Sequence, residues 1–267
     1  MIVTLLTDYG YDDEFAGVCR GVIRTVDRGI EIVDITHGIP RHDVRRAAIV
    51  LRNALPYMPV GVHVAIVDPE VGAERRGVAL RCADDRVLVG PDNGVLGLAW
   101  DEAGGVVEAI DVSRSPHRLE PVAATFHGRD VFAPVAARLA TGAELADAGQ
   151  RMDPADLVRL ELPAPSIEAD GVIAHALVVD GFGNVGLDVA HADLAGTGLA
   201  LGRAVCVEAG GTRHRATFTR TFADVASGEL LVYEDAYRVL AVAINRGDAA
   251  EALGLAADAE VRLSPAS

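Results

Sequence analysis

The stretch IVTLLTDYGYDDEFAGVCRGVIRTVDRGIEIVDIT, residues 2–36, decides the fold. Residues 2–7 are a largely apolar run closed by Asp8, which is how a buried strand reads. Phe15, Val18, Cys19, Val22, Ile23 and Val26 then recur at helical spacing along one face. Residues 31–36 (EIVDIT) make a second strand. Strand, helix and strand in such quick succession form a crossover unit, and a crossover holds its two strands parallel.

Outward from this unit the pattern continues. A second helix is expected over 43–55, with Asp43 as its N-cap, and a third strand over 62–67 (VHVAIV) ends at Asp68. The β-α-β-α-β order predicts a parallel sheet with crossover helices. Short strands at 77–82 and 86–89 lead to the turn GPDNG, and residues 131–139, just after TFHGRD, read as a helix. The run LPAPS, with Pro163 and Pro165, marks a linker. Beyond it come short strands and tight turns. RAVCVEA and HRATFTRT flank Gly210-Gly211, a hairpin signal. GELLVYED and YRVLAVAI continue as strands, and a short helix over 249–255 follows. The expected organisation is an α/β domain over 1–163, with a mostly parallel sheet, and a smaller β-barrel-like domain over 164–267.

Composition narrows the function. The chain has 267 residues and a formal charge of −15, a field unfavourable to nucleic acid and to anionic membranes. No apolar run is long enough to span a bilayer, and the N-terminus does not read as a signal peptide. Three scattered cysteines, Cys19, Cys82 and Cys206, give neither a disulfide framework nor a CxxC metal site, and a cytoplasmic location is expected. All 24 residues counted as lysine or arginine are arginine. The absence of lysine excludes a Schiff-base lysine and a Walker A lysine, and no G-x-G-x-x-G follows the first strand.

In open α/β sheets ligands bind outside the carboxyl ends of strands. Asp8, Asp68 and the pair Asp34 and His37 stand at or near such ends. VDPEVGAERR brings Asp68 and Arg75 onto one loop, and a solvated surface pair is the simplest reading of such a combination. His127 precedes a helix start, where the dipole favours a neutral ring. VVDGFGNVGLDV offers Asp180, Phe182 and Asn184. A turn explains its glycines but not the phenylalanine between them. Phe can stack on a flat ring, and Asn can bond bidentately to an adenine edge.

TDYG, VDPEVG…R, GPDNG, TFHGRD and D-x-F-G-N occur in this order over nearly the whole chain, and together they resemble the S-adenosyl-L-methionine hydroxide adenosyltransferases, relatives of the fluorinases and chlorinases. The resemblance implies an N-terminal α/β domain and a C-terminal β domain, assembled as a homotrimer with active sites between subunits. It implies attack on ribose C5′ by water or hydroxide, giving adenosine and L-methionine without a cofactor or metal. An Asp-Arg-His set associated with the water maps onto Asp68, Arg75 and His127. Asp8 matches the aspartate on the ribose diol, and Asp13 stands near the methionine end. Asp180 matches a carboxylate near the methionine amino group. Phe182, Asn184 and Phe222 match the residues around adenine. The loop with Tyr237 and Arg238 matches one near the methionine carboxylate or the adenine, although the family's usual S-x-G pattern is replaced there by EDAYRV. His42 stands where an aromatic often packs on the ribose. Gly128 stands where the fluorinase has a halide-binding serine, and the fluorinase's long insertion after the VDP segment is missing; both favour water over halide.

Two rivals differ in kind. TDYGYDD is similar to the D-x-D-x-x-x-D-D calcium loop of nucleoside hydrolases, but the first aspartate of that loop would fall on Leu6. A non-catalytic protein that binds adenosine or S-adenosyl-L-methionine also fits the charge and the β domain.

Overall fold

The computed structural model describes residues 1–266. The chain divides into two compact units, Met1–Leu160 and the residues from Glu161 onward.

The first unit is built on a seven-stranded sheet. Its strands are β1 (Ile2–Thr7), β2 (Glu31–Thr36), β3 (Val62–Ile66), β4 (Gly77–Cys82), β5 (Val87–Pro91), β6 (Val106–Asp111) and β7 (Gln150–Met152), in the order β2-β1-β3-β5-β4-β6-β7. The four strands β2, β1, β3 and β5 pair in parallel, as the crossover pattern predicts, while β4, β6 and β7 extend the sheet in antiparallel fashion. Helices α1 (Phe15–Val26) and α4 (Ala133–Ala140) pack against one another, as do α2 (Val44–Ala54) and α3 (Gly97–Glu102). Each helix pair closes one hydrophobic core. Val3, Leu5, Cys19 and Val135 belong to one core, and Leu6, Ala47, Leu51 and Trp100 to the other.

The caps follow the sequence in part. Asp43 accepts the Arg46 N–H at 2.8 Å, as expected of an N-cap. Helix α1 starts at Phe15 without a side-chain cap. The helix expected over 131–139 is preceded by a wide, π-type turn over Gly128–Phe132, which shapes the loop carrying His127.

The chain winds to one side of β1 through α1 and returns to its other side through α2. β1 and β3 are therefore neighbours, with Thr7 paired opposite Ile66. Their carboxyl ends bring Asp8 and Asp68 to one edge of the sheet, the location where doubly wound sheets bind ligands.

The second unit is a closed barrel. Its strands are β8 (Ser166–Glu168), β9 (Gly171–Val179), β10 (Val185–Ala190), β11 (Ala204–Ala209), β12 (Thr212–Phe218), β13 (Leu230–Glu234), β14 (Val239–Ile244) and β15 (Glu260–Pro265); a short helix, α5 (Ala249–Leu253), precedes β15. The order β10-β14-β13-β12-β11-β15-β9 closes through β9–β10, and β8 adds to β9 outside the ring. Gly210 and Gly211, both at positive φ, link β11 to β12 in the predicted hairpin. The β12–β13 pair is the parallel one in the ring. Alternate residues such as Val205, Val207 and Ala209 fill the interior. No helix among the described residues is long and apolar enough to cross a membrane.

Candidate active site

Arg75 organises the first unit's site. Its Nε donates to Asp68 Oδ1 at 2.9 Å and its Nη2 to Asp68 Oδ2, a bidentate fork. The same Nη2 lies 2.8 Å from His127 Nδ1. The two charged side chains are only 5% and 6% exposed, so this is a buried pair and not the solvated surface pair that the sequence alone favours. The guanidinium also stands over the Phe132 ring, 5.3 Å from its centroid.

This geometry fixes the histidine's tautomer. Arginine has donors and no acceptor. His127 Nδ1 must therefore accept, and the neutral ring carries its hydrogen on Nε2. Burial, then the neighbouring guanidinium, hold its pKa below the ordinary histidine value, against the weaker pull of Asp68 and Asp130. In this arrangement His127 is a neutral hydrogen-bond donor. Its Nδ1 lone pair is engaged by Arg75.

Beside this set lies a cavity of about 360 Å³ at the carboxyl edge of the parallel strands. Asp8, Asp13, His42 and Asp68 line it, together with Tyr9, Phe126 and Gly128. Arg75 and His127 do not reach its wall. Asp8 Oδ2 accepts the His42 N–H at 2.9 Å, and His42 takes a left-handed backbone conformation at φ 67°. Tyr9, Phe15 and Phe126 meet as an aromatic cluster, with Phe126 edge-on to both of the others. Asp130 secures the loop from beneath. It accepts the Ala123 N–H at 2.8 Å and the Arg129 Nε at 2.6 Å. Burial opposes its charge, yet these bonds keep its carboxyl below the usual range.

The other sequence candidates near the first strands are structural. His37 is buried, with its Nδ1 2.8 Å from Thr7 Oγ1, and Asp34 pairs with Arg20 at 3.0 Å. Leu6 is fully buried in β1 among the residues that pack on α2, so the calcium-loop reading finds no oxygen ligand there.

In the second unit Asp180, Phe182, Asn184 and Phe222 line a second cavity, of about 710 Å³. Asp180 Oδ1 accepts the N–H groups of Phe182 and Asn184, and its Oδ2 accepts Asn184 Nδ2 at 2.8 Å. The aspartate thus builds the turn. Gly183, at φ 81°, lies so close to the Asp248 carboxylate that no side chain fits there. The turn leaves Phe182 82% exposed at the cavity, an expensive place for a bare aromatic ring.

Tyr237 and Arg238 lie in the β13–β14 turn and are not part of this wall; Arg238 is exposed and pairs with Glu234 at 2.7 Å. Arg246 lies just past the opposite end of β14, and it lines the cavity with Tyr233 and Asn245. The sequence did contain a signal for it, the INRG run after the strand YRVLAVAI, but the strand offers an arginine at each end and only the turn geometry separates them. Tyr9 was missed in the same way, hidden between Asp8 and Gly10 in TDYG.

Both halves of this arrangement match known proteins. The family model described as SAM hydroxide adenosyltransferase N-terminal domain matches residues 3–149, and the C-terminal domain of that description matches residues 174–262. The chain belongs to the SAM hydroxide adenosyltransferase family. A Salinispora tropica relative named (R)-S-adenosyl-L-methionine hydrolase is 47% identical over 98% of this chain and 97% of its own. A Thermus thermophilus relative of that name is 38% identical over 98% of each. A fluorinase from an Actinoplanes species is more distant, at 26% identity over 99% of this chain and 98% of its own. A solved structure of an uncharacterized conserved protein from Thermotoga maritima superposes with a TM-score of 0.92, at 34% identity, covering 99% of this chain and all of that one. Within the family the fluorinases are named for a halide, and here the bare Gly128 backbone is covered by the Tyr9 hydroxyl.

Proposed function

We propose that this enzyme hydrolyses S-adenosyl-L-methionine by attack of water on ribose C5′, releasing adenosine and L-methionine. The (R)-epimer at sulfur, for which the Salinispora and Thermus relatives are named, is the substrate assigned. The observation that carries this reading is the Arg75 hub at the carboxyl edge of β1 and β3, in a chain of this family.

The chemistry asks little of a protein acid. Methionine leaves as a neutral thioether, so sulfur takes the electron pair of the C5′–S bond and needs no proton. Water supplies the new O–C5′ bond, and one proton is lost to solvent. The difficulties are the weakness of water as a nucleophile and its alignment with carbon and sulfur. Alignment is worth much of the barrier in such displacements. The guanidinium, fixed behind the cavity wall, favours hydroxide character in the incoming oxygen through its field and not by contact. Asp68, held by two charge-assisted bonds, keeps that guanidinium in place. Asp8 serves the ribose hydroxyls through the oxygen not taken by His42, and Asp13 lies on the same wall for the methionine end. Phe182 and Asn184 receive the adenine, with Phe222 and Tyr233 packed together at 5.0 Å beside them. Arg246 takes the role that the family pattern gave to Arg238, facing the methionine carboxylate or the adenine.

Each unit presents only part of this set. We therefore also propose a homotrimer, in which the first unit of one copy and the second unit of the next share a substrate. No cofactor enters this scheme. The three cysteines are free, in keeping with a reaction placed in the cytoplasm.

Turnover in heavy-oxygen water tests the reading. Adenosine labelled at its 5′-oxygen is expected, with activity unaffected by chelator. Release of free adenine, or adenosine without label, would overturn it.

A further inference from the structure

The Tyr9 hydroxyl is an unspent polar group on the wall of the first unit's cavity. Its ring is fixed edge-on to Phe126 and tilted on Phe15, each at 5.8 Å. These contacts press the hydroxyl onto Gly128, where any β-carbon would overlap it. Among the described residues nothing bonds to that hydroxyl; the hydrogen bond recorded for Tyr9 is from its backbone N–H to Thr7 Oγ1. Asp68 and Gly128 line the same cavity. Burial, followed by the fields of Cys19, Asp8 and Asp68, raises its pKa well above the ordinary phenol value, so it stays a neutral O–H.

The Asp-Arg-His set has little left to offer a water directly. Both Asp68 oxygens and His127 Nδ1 are engaged by Arg75, and neither Arg75 nor His127 reaches the cavity wall. A half-buried hydroxyl without a partner awaits a ligand or a water. We infer that Tyr9 is a further catalytic residue, whose hydroxyl holds the attacking water beside Asp68 and over Gly128. This rests on the hydrolase reading above. Tyr9 Oη accepts one hydrogen of the water, which leaves a lone pair on the water oxygen for C5′. As the O–C5′ bond forms, the C5′–S pair goes to sulfur, and the surplus proton passes to solvent. Tyr9 keeps its own proton throughout. Gly128 is glycine because this pose leaves it no room for a side chain.

Tyr9→Phe keeps the ring and its packing and removes the water's partner. With the full-length chain and S-adenosyl-L-methionine, kcat should fall about threefold to tenfold, the rate equivalent of one neutral positioning hydrogen bond, while KM changes less than about twofold. Gly128→Ala should lower kcat by displacing the hydroxyl, and adding Tyr9→Phe to it should cost nothing more. An unchanged kcat in Tyr9→Phe overturns the inference. So does a raised KM at constant kcat, which would mean that the hydroxyl holds substrate, and so do losses that multiply in the double variant. If Gly128→Ala does not fold, Tyr9→Phe decides alone. Wild-type chain that releases no adenosine would instead refute the hydrolase reading itself, and this inference with it.

Discussion

Removing Arg75 should cost stability as well as activity, and the two losses should come apart in a double variant. In Arg75→Met the Asp68 carboxylate loses both of its charge-assisted bonds while remaining 6% exposed. Breaking a buried pair by removing one partner costs about 3–5 kcal/mol, because a desolvated charge is left alone. The contact with Phe132, 5.3 Å away, is lost as well, worth about 0.5–2 kcal/mol. In a unit of this size each kcal/mol lowers the melting temperature by about 2–4 °C, so a fall of roughly 10–20 °C is expected. Asp68→Asn/Arg75→Met takes the orphaned charge away. It should recover about 2–4 kcal/mol relative to the sum of the single variants, since buried ion pairs contribute little net stability over neutral replacements. Activity should recover nothing. The assay is urea unfolding followed by circular dichroism, run beside adenosine release by chromatography. If Arg75→Met costs under about 1 kcal/mol, or the two single losses simply add, then the pair is effectively solvated and the electrostatic argument built on its burial fails.

Two other expectations follow from the same geometry. His127 titrates below its ordinary value, and its protonated form would set a second cation against Arg75, so kcat/KM should be flat above about pH 6.5 and fall as the pH drops further. The native state binds fewer protons there than the unfolded chain, so stability should decline through the same acidic window; an acid limb lying above pH 6.5 would contradict this. If the proposed trimer shares its sites between copies, two variants inactive in different units, Asp8→Asn and Phe182→Ala/Asn184→Ala, should regain about a quarter of wild-type activity when equal amounts are dissociated and reassembled together, because random mixing leaves that share of sites intact. Sites formed within one chain would give no recovery.

How far the sequence could be read depended on the distance over which each feature is encoded. The β1-α1-β2 unit, the Asp43 cap and the Gly210-Gly211 hairpin are local, and each stands where the pattern puts it. Asp68, Arg75 and His127 were legible as a set only through family resemblance, since their meeting joins two separate loops. The last strand, β15, escaped notice because its partners, β9 and β11, are distant in sequence and nothing local announces it. The same limit leaves Arg238 and Arg246, at opposite ends of β14, indistinguishable in the sequence. The role of His127 lay further out of reach, because its tautomer is dictated by which nitrogen faces the guanidinium.

The ring of seven strands has an arithmetical consequence. Going once around a closed barrel, strand direction must return to its starting sense, so the number of antiparallel neighbours must be even. Seven neighbours therefore require an odd number of parallel pairs, and here the one such pair is β12–β13. A parallel pair cannot be joined by a tight turn; the chain must run back along the barrel before the next strand begins. Residues 219–229 make that return, and Phe222 rides on them to the cavity wall. An eight-stranded, all-antiparallel barrel could dispense with that return, and the cavity would then lose one of its aromatic walls. The aromatic wall of the second unit's cavity is in this sense a by-product of parity.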